Sequence, residues 1–345
     1  MKRFFLKLRN SVNKRFTKLE RFFSLKYGLT PSCKKTFFAV SMVKNEADII
    51  ELFLRINLRF FGKIYILDHH SDDTTPQIIQ KLQAEGLPIE YILLTGASGA
   101  YDQAEITTYY INKIAREVDC DYIIPLDADE FIRCWGFTKP EEVFREATSP
   151  CGYCLIPWVT YVPINDLYLK GESPLHNNFR ARNREPQQYY KVVMKRNFAT
   201  TARLAMGNHD VISEVELNPK KVFRVILQHV PVRSSEQITS KVIIGSMAYK
   251  LKSTRKPGDG YHWDELAEQA IRFNLRLPHE CVKNMAINYA SPKSFKGVLY
   301  APKFSLNPKI GTGNENIAYR DLAEINAEHN IEAFKKKFVN KDKGD

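Results

Sequence analysis

The residues best placed to do chemistry lie in Tyr122-Ile-Ile-Pro-Leu-Asp-Ala-Asp-Glu-Phe131. The apolar run 123–126 delivers two carboxylates, Asp127 and Asp129, and Phe131 and Ile132 close the run. A continuous apolar run of this length reads as a strand buried on both faces. Two acids where such a strand ends call for positive charge between them. One candidate is a divalent cation, Mg or Mn, which takes hard oxygen ligands and also binds phosphate oxygens. The other reading is that the two acids cap a loop or a helix. These ten residues leave both open.

The elements that must position them follow an α/β pattern. Residues 37–43, 63–68, 87–94 and 121–126 read as strands, and residues 47–60, 77–85 and 102–118 as helices between them. Pro76 suits the first turn of its helix, with Thr74 or Thr75 as the cap. Such alternation predicts a mostly parallel sheet flanked by helices. Ligands of these sheets sit beyond the carboxyl ends of the strands. Three strand ends carry polar groups: Lys44, Asn45 and Glu46; Asp68 and His69; Asp127 and Asp129. They are expected to converge on one crevice.

Charge and length narrow the class. A chain of 345 residues makes one large domain or two modest ones. The formal charge is +12, but residues 1–35 carry 11 bases and one acid, which leaves the remainder at +2. That distribution argues against a nucleic-acid groove through the main body. Within residues 1–27, Phe5, Leu8, Val12, Phe16, Leu19 and Phe23 fall at helical spacing, with Lys and Arg on the other face. A basic amphipathic helix suits an anionic membrane surface, and the alternative is a helix packed on the body with a solvated basic face. No run approaches the roughly 18–20 apolar residues that span a bilayer. No secretory signal pattern is present, so the expected location is the cytoplasm, peripheral at the inner face of the cell membrane. Cys151-Gly-Tyr-Cys154 has metal or redox spacing but lacks a second pair or nearby histidines, and the six cysteines read as reduced thiols.

At this point the chain resembles a family 2-type glycosyltransferase with the GT-A fold. Ser41-Met-Val-Lys-Asn-Glu46 is similar to the first-strand motif of that family. Asp68-His-His-Ser-Asp-Asp-Thr-Thr75 is similar to its second-strand turn, with His69-His70 where Asp-Gly is usual. Leu126-Asp-Ala-Asp-Glu-Phe131 looks like its DxD element. The resemblance is to a bacterial subgroup. It implies metal-dependent, inverting transfer of a sugar from a nucleotide diphosphate sugar, UDP-linked, to a surface glycan or glycolipid. It further implies that Lys44, Asn45, Glu46, Asp68, His69, Asp73 and Gln103 contact or shape the donor pocket. Asp127 and Asp129 would hold the cation, with His229 or His209 completing its shell.

The second half is less regular. Residues 152–162, 191–195 and 222–227 read as strands, and residues 165–188 as a loop. Arg233, Ser234 and Lys241 sit at a helix start, where N–H groups and cations favour phosphate, or else belong to an ordinary surface helix. An inverting transfer needs a carboxylate base, and Asp210 is preferred, with Glu172 and Glu185 behind it. Trp158, His262 and Trp263 either border an acceptor site or pack in the core. Residues 278–315 read as loop-rich, and residues 323–339 as a helix. The expected domains are a basic segment 1–34, a main domain 35–245 split at 135 into donor and acceptor halves, and a helical extension 246–345. The rivals are a membrane-docked sugar- or nucleotide-binding protein without catalysis and a nucleotidyltransferase. The latter usually opens with a Gly-rich basic loop, and residues 41–46 contain no glycine.

Overall fold

The computed structural model describes residues 34–95, 103–134, 138–163, 179–251, 261–273, 277–291 and 299–303. The first half builds β1 (Lys34–Val43), α1 (Ile50–Asn57), β2 (Phe61–Asp68), α2 (Thr75–Ala84), β3 (Ile89–Leu93), α3 (Gln103–Glu117) and β4 (Tyr122–Pro125). These four strands are parallel, in the spatial order β4-β1-β2-β3. Side chains alternate along β1. Phe37, Ala39 and Val43 pack with Ile50, Phe53 and Leu54 of α1 and with Ile79 and Leu82 of α2. Phe38, Val40 and Met42 pack on the other face with Ile111 and Ile114 of α3. Both faces are covered, which is why β1 is apolar from Phe37 to Val43 except at Ser41. Each fully buried side chain such as Phe37 or Phe53 contributes about 1.5–3 kcal/mol.

The chain leaves β3 at one edge and returns to β4 on the far side of β1. The strand order therefore reverses between β1 and β4, and α/β sheets bind their ligands beyond the carboxyl ends of the strands at such a reversal. Residues 44–46 and residue 127 stand on either side of it.

The chain continues through β5 (Glu130–Cys134), α4 (Pro140–Ala147), β6 (Tyr153–Pro163), β7 (Phe179–Arg182), β8 (Tyr190–Lys195), α5 (Arg196–Ala199), β9 (Lys220–Lys221), β10 (Val225–His229), α6 (Ser235–Leu251), α7 (Tyr261–Arg272), α8 (His279–Asn288) and β11 (Leu299–Lys303). Antiparallel β8 extends the parallel sheet past β4, and antiparallel β6 follows β8. The result is a mixed, Rossmann-like α/β sheet flanked by helices, as expected. β10 lies between β6 and β5 and carries the chain back to the crevice.

Several expectations are revised. Phe131 and Ile132 do not close the β4 run but open β5, so Asp127-Ala-Asp129 is the turn between two strands. β5 exists because β10 pairs with it from far along the chain, which no local pattern announces. Residues 165–188, expected as loop, contain β7, and residues 278–315 contain α8 and β11. α8 hides its apolar character: Val282 and Ala286 are its buried positions, packed with Val162 of β6 and with α6 and α7. The expected boundary at 245 falls inside α6. No helix among the described residues is long and apolar enough to cross a membrane. The amphipathic segment 1–27, Glu172, the side chains of His262 and Trp263, and the expected helix 323–339 lie outside the described residues.

Candidate functional site

The ends of β1 and β2 are knitted into one rim. Asn45 takes a left-handed conformation, φ 56°, which asparagine tolerates better than most residues. Its side-chain amide donates to Asp72 Oδ1 at 2.6 Å and accepts from the Asp72 N–H at 2.9 Å. The Lys44 ammonium donates to the carbonyls of His69 and His70 at 3.0 and 3.1 Å. Asp68 is fully buried; its oxygens accept from the Ser71 N–H at 2.8 Å and the Tyr91 hydroxyl at 2.7 Å. Asp73 accepts from the N–H groups of Thr75 and Ala47, so one carboxylate fixes the starts of both connecting segments. Burial, reinforced by Lys44, lowers the pKa of His69. The structure thus brings together Lys44, Asn45, Asp68, His69 and Asp73, and buried Asp68 and half-buried Asp73 brace the rim itself.

The β4 end is held by a lysine that sequence reasoning passed over. Lys191 of β8 is completely buried and donates to Asp127 Oδ2 at 2.7 Å and to the Gly207 carbonyl at 2.9 Å. Its ammonium is also 3.3 Å from Glu130 Oε2. The signal was present: a lysine inside Tyr190-Lys-Val-Val-Met194 must find a carboxylate if that strand is buried. Gln103 adds a bond to Asp127 Oδ1 at 3.0 Å. Gly207 is needed where it stands, because at φ 69° a Cβ would meet the His209 ring at 2.6 Å. Two carboxylates share the Lys191 charge. Burial pushes Glu130 up to about 8, against the pull of Lys191, and among the described residues its Oε1 has no hydrogen-bond partner. Lys191 itself is desolvated, but Asp127 and Glu130 hold it above its ordinary value.

Asp129 faces a second lysine. Lys241 of α6 donates to Asp129 Oδ2 at 2.9 Å, and His229 Nε2 lies 3.6 Å from Asp129 Oδ1. Burial disfavours the Asp129 charge, yet Lys241, His229 and Arg233 outweigh it and hold the carboxyl below its usual range. Burial pushes His229 down to about 4, so its ring is neutral near pH 7. Arg233 does not reach toward the crevice as a free phosphate ligand. Its guanidinium clamps Asp48 at 2.6 and 2.9 Å and Glu46 at 3.0 Å, tying the β10–α6 turn to the β1 rim. Burial pushes Glu46 up to about 7, with Arg233 and Lys241 pulling the other way. Ser234 caps α6 by accepting from the Gln237 N–H at 3.1 Å, which removes one donor from the proposed phosphate seat.

The remaining candidates divide. Trp158 is buried and stacks on His229 with ring centroids 4.3 Å apart; His209 meets it edge-on at 5.3 Å. Both histidines therefore share one aromatic wall, with His229 alone beside Asp129. His209 Nδ1 pairs with the Tyr190 carbonyl at 2.9 Å. Asp210 is exposed and accepts from Tyr153 Oη and the Val211 N–H, both on Oδ1. Glu185 is a brace and not a base: it binds the Thr160 N–H and hydroxyl and Arg182, leaving neither oxygen available to a substrate.

A resident divalent cation fits these side chains poorly. Among the described residues no group of three or more His, Cys, Asp or Glu side chains is arranged to hold a metal ion. Each acid of the Asp127–Asp129 pair already has an ammonium at hydrogen-bond distance.

No protein-family model matches the chain, and no curated protein matches it. Solved structures do show a likeness. A crystal structure of S. aureus TarS 1-349 in complex with UDP is 10% identical at TM-score 0.35, covering 74% of this chain and 72% of that one. A crystal structure of S. aureus TarS is 10% identical at TM-score 0.34, and the match spans 46% of its length. CMP:2-keto-3-deoxy-manno-octonic acid synthetase complexed with CTP is 13% identical at TM-score 0.25, covering 48% of this chain and 76% of that one. Likeness at these values carries no functional weight.

Proposed function

We propose that this protein is a glycosyltransferase that takes a sugar from a nucleotide diphosphate sugar. The observation that carries the reading is the convergence, at the strand-order reversal, of the polar ends of β1, β2 and β4 with the cations Lys191, Lys241 and Arg233. A crevice of that kind suits a nucleotide, with its diphosphate toward the Lys241 side. The acceptor hydroxyl attacks the anomeric carbon, the bond to the diphosphate breaks, and the nucleoside diphosphate leaves with the electron pair. Asp210 is the base we assign to the hydroxyl proton, since Oδ2 is clear of the two bonds on Oδ1. Tyr189 and His209, half-buried with ring centroids 4.9 Å apart, offer aromatic surface for a sugar ring. The acceptor is a glycan or glycolipid, reached at an anionic membrane surface through residues 1–27.

The test is a panel of nucleotide sugars incubated with the full chain, with release of nucleoside diphosphate followed by chromatography. The reading expects one donor class to be consumed. With pyrophosphate added in a parallel arm, conversion of a nucleotide sugar into nucleoside triphosphate and sugar 1-phosphate would indicate nucleotidyl transfer instead. For the membrane contact, flotation with anionic vesicles should be lost when residues 1–27 are removed, and undiminished flotation would remove that part of the reading.

A further inference from the structure

The two acids at the β4 end invite a cation, and the structure answers with two lysines from separate elements. We infer that Lys241, backed by the buried Lys191, supplies the positive charge for the ligand's diphosphate, so that diphosphate binding here needs no divalent cation. This rests on the nucleotide reading above.

The two lysines have different jobs. An ammonium has three N–H donors. Those of Lys191 are met by Asp127 Oδ2, Glu130 Oε2 and the Gly207 carbonyl, at 2.7, 3.3 and 2.9 Å. Lys191 is therefore a fixed charge that cancels Asp127 without reaching a ligand. Lys241 differs on both counts. Its side chain is 27% exposed, and among the described residues its hydrogen bond is the one to Asp129 Oδ2, at 2.9 Å. It keeps donors for an incoming phosphate while Asp129 holds it in place. Asp129 is itself fixed, since its carbonyl accepts from the Val230 N–H at 2.9 Å. The pair thus presents an oriented ammonium at the mouth of the crevice, where a phosphate oxygen gains a charge-assisted hydrogen bond. Arg233 cannot take this role while it clamps Asp48 and Glu46.

The experiment is calorimetric titration of the full chain with UDP, GDP, CDP, ADP and dTDP, each in EDTA and in Mn²⁺. One nucleoside diphosphate should bind with affinities in the two buffers that agree within about threefold. Lys241→Gln, checked for folding by thermal denaturation, should weaken it by about tenfold or more. The matching nucleoside should bind the variant and the parent alike. Binding that appears only with Mn²⁺, or a folded Lys241→Gln variant of unchanged affinity, overturns the lysine inference and leaves the nucleotide reading standing. Absence of binding by every diphosphate in both buffers overturns the nucleotide reading, and the inference with it.

Discussion

Lys241 and Asp129 are 112 residues apart in the chain and 2.9 Å apart in the fold. That contact joins the β4–β5 turn to helix α6, and it is one of a pair, since Lys191 does the same for Asp127 at 2.7 Å. The crevice is a balanced set of buried charges, and its balance makes stability and ligand binding sensitive to single substitutions.

Arg233 is the clearest case for stability. It is buried between Asp48 and Glu46, and Arg233→Ala leaves both carboxylates without their cation. Removing one partner of a buried ion pair costs about 3–5 kcal/mol. Arg233→Lys should recover only part of this, because an ammonium cannot make the two-pronged contact with Asp48. Urea denaturation of the three proteins checks the order, and equal stability of all three would contradict the clamp.

Glu130 should make stability fall as pH rises. Its folded value of about 8 lies above the ordinary 4.5. Between those values the unfolded chain has released the proton while the native one keeps it, so the native state is progressively disfavoured toward pH 8. Glu130→Gln removes this titration. The variant should gain on the parent as pH rises from 5 to about 8 and then level off. Chemical denaturation across that range reads the difference, and a constant difference would contradict a protonated Glu130. Asp129 works in the opposite sense: depressed below its ordinary 3.8, it stabilises the native state above that value and loses the effect on acidification.

Asn45 tests the rim. Asn45→Ala loses the exchange of hydrogen bonds with Asp72 and must hold φ 56° with an ordinary side chain. We expect a loss of about 2 kcal/mol. Asn45→Gly relieves the backbone but not the hydrogen bonds, and should be about 1 kcal/mol less damaging than alanine. Alanine proving milder than glycine in thermal denaturation would contradict the left-handed rim.

Much of this half of the fold was legible locally. β1 to β4 announce themselves as apolar runs, and their polar ends Asn45, Asp68 and Asp127 stand where the alternation of strands and helices says they must. The partners of those ends were not legible. Lys191 sat unremarked in a strand, and Asp48 in a helix start, because a lysine or an aspartate carries no local sign of what it will meet. The place of Arg233 near a helix N-terminus suggests a phosphate ligand or an ordinary surface helix, and neither reading points to its partners on the first rim. β5 depends on pairing with β10 and escaped for the same reason. Long-range charge pairing and antiparallel return strands are properties of the assembled sheet, and a local reading reaches neither.

The central claim is that the Asp127–Asp129 turn is one wall of a nucleotide-sugar site. Its most direct measurement is donor consumption by the parent chain and by folded Asp127→Asn and Asp129→Asn variants, each with the full panel of nucleotide sugars. Each variant keeps the size of the acid and removes its charge, which weakens the contact to Lys191 or to Lys241. The account predicts that the parent consumes one donor class with release of its nucleoside diphosphate, and that either substitution lowers the rate by at least about a hundredfold. Full consumption by both folded variants would contradict it.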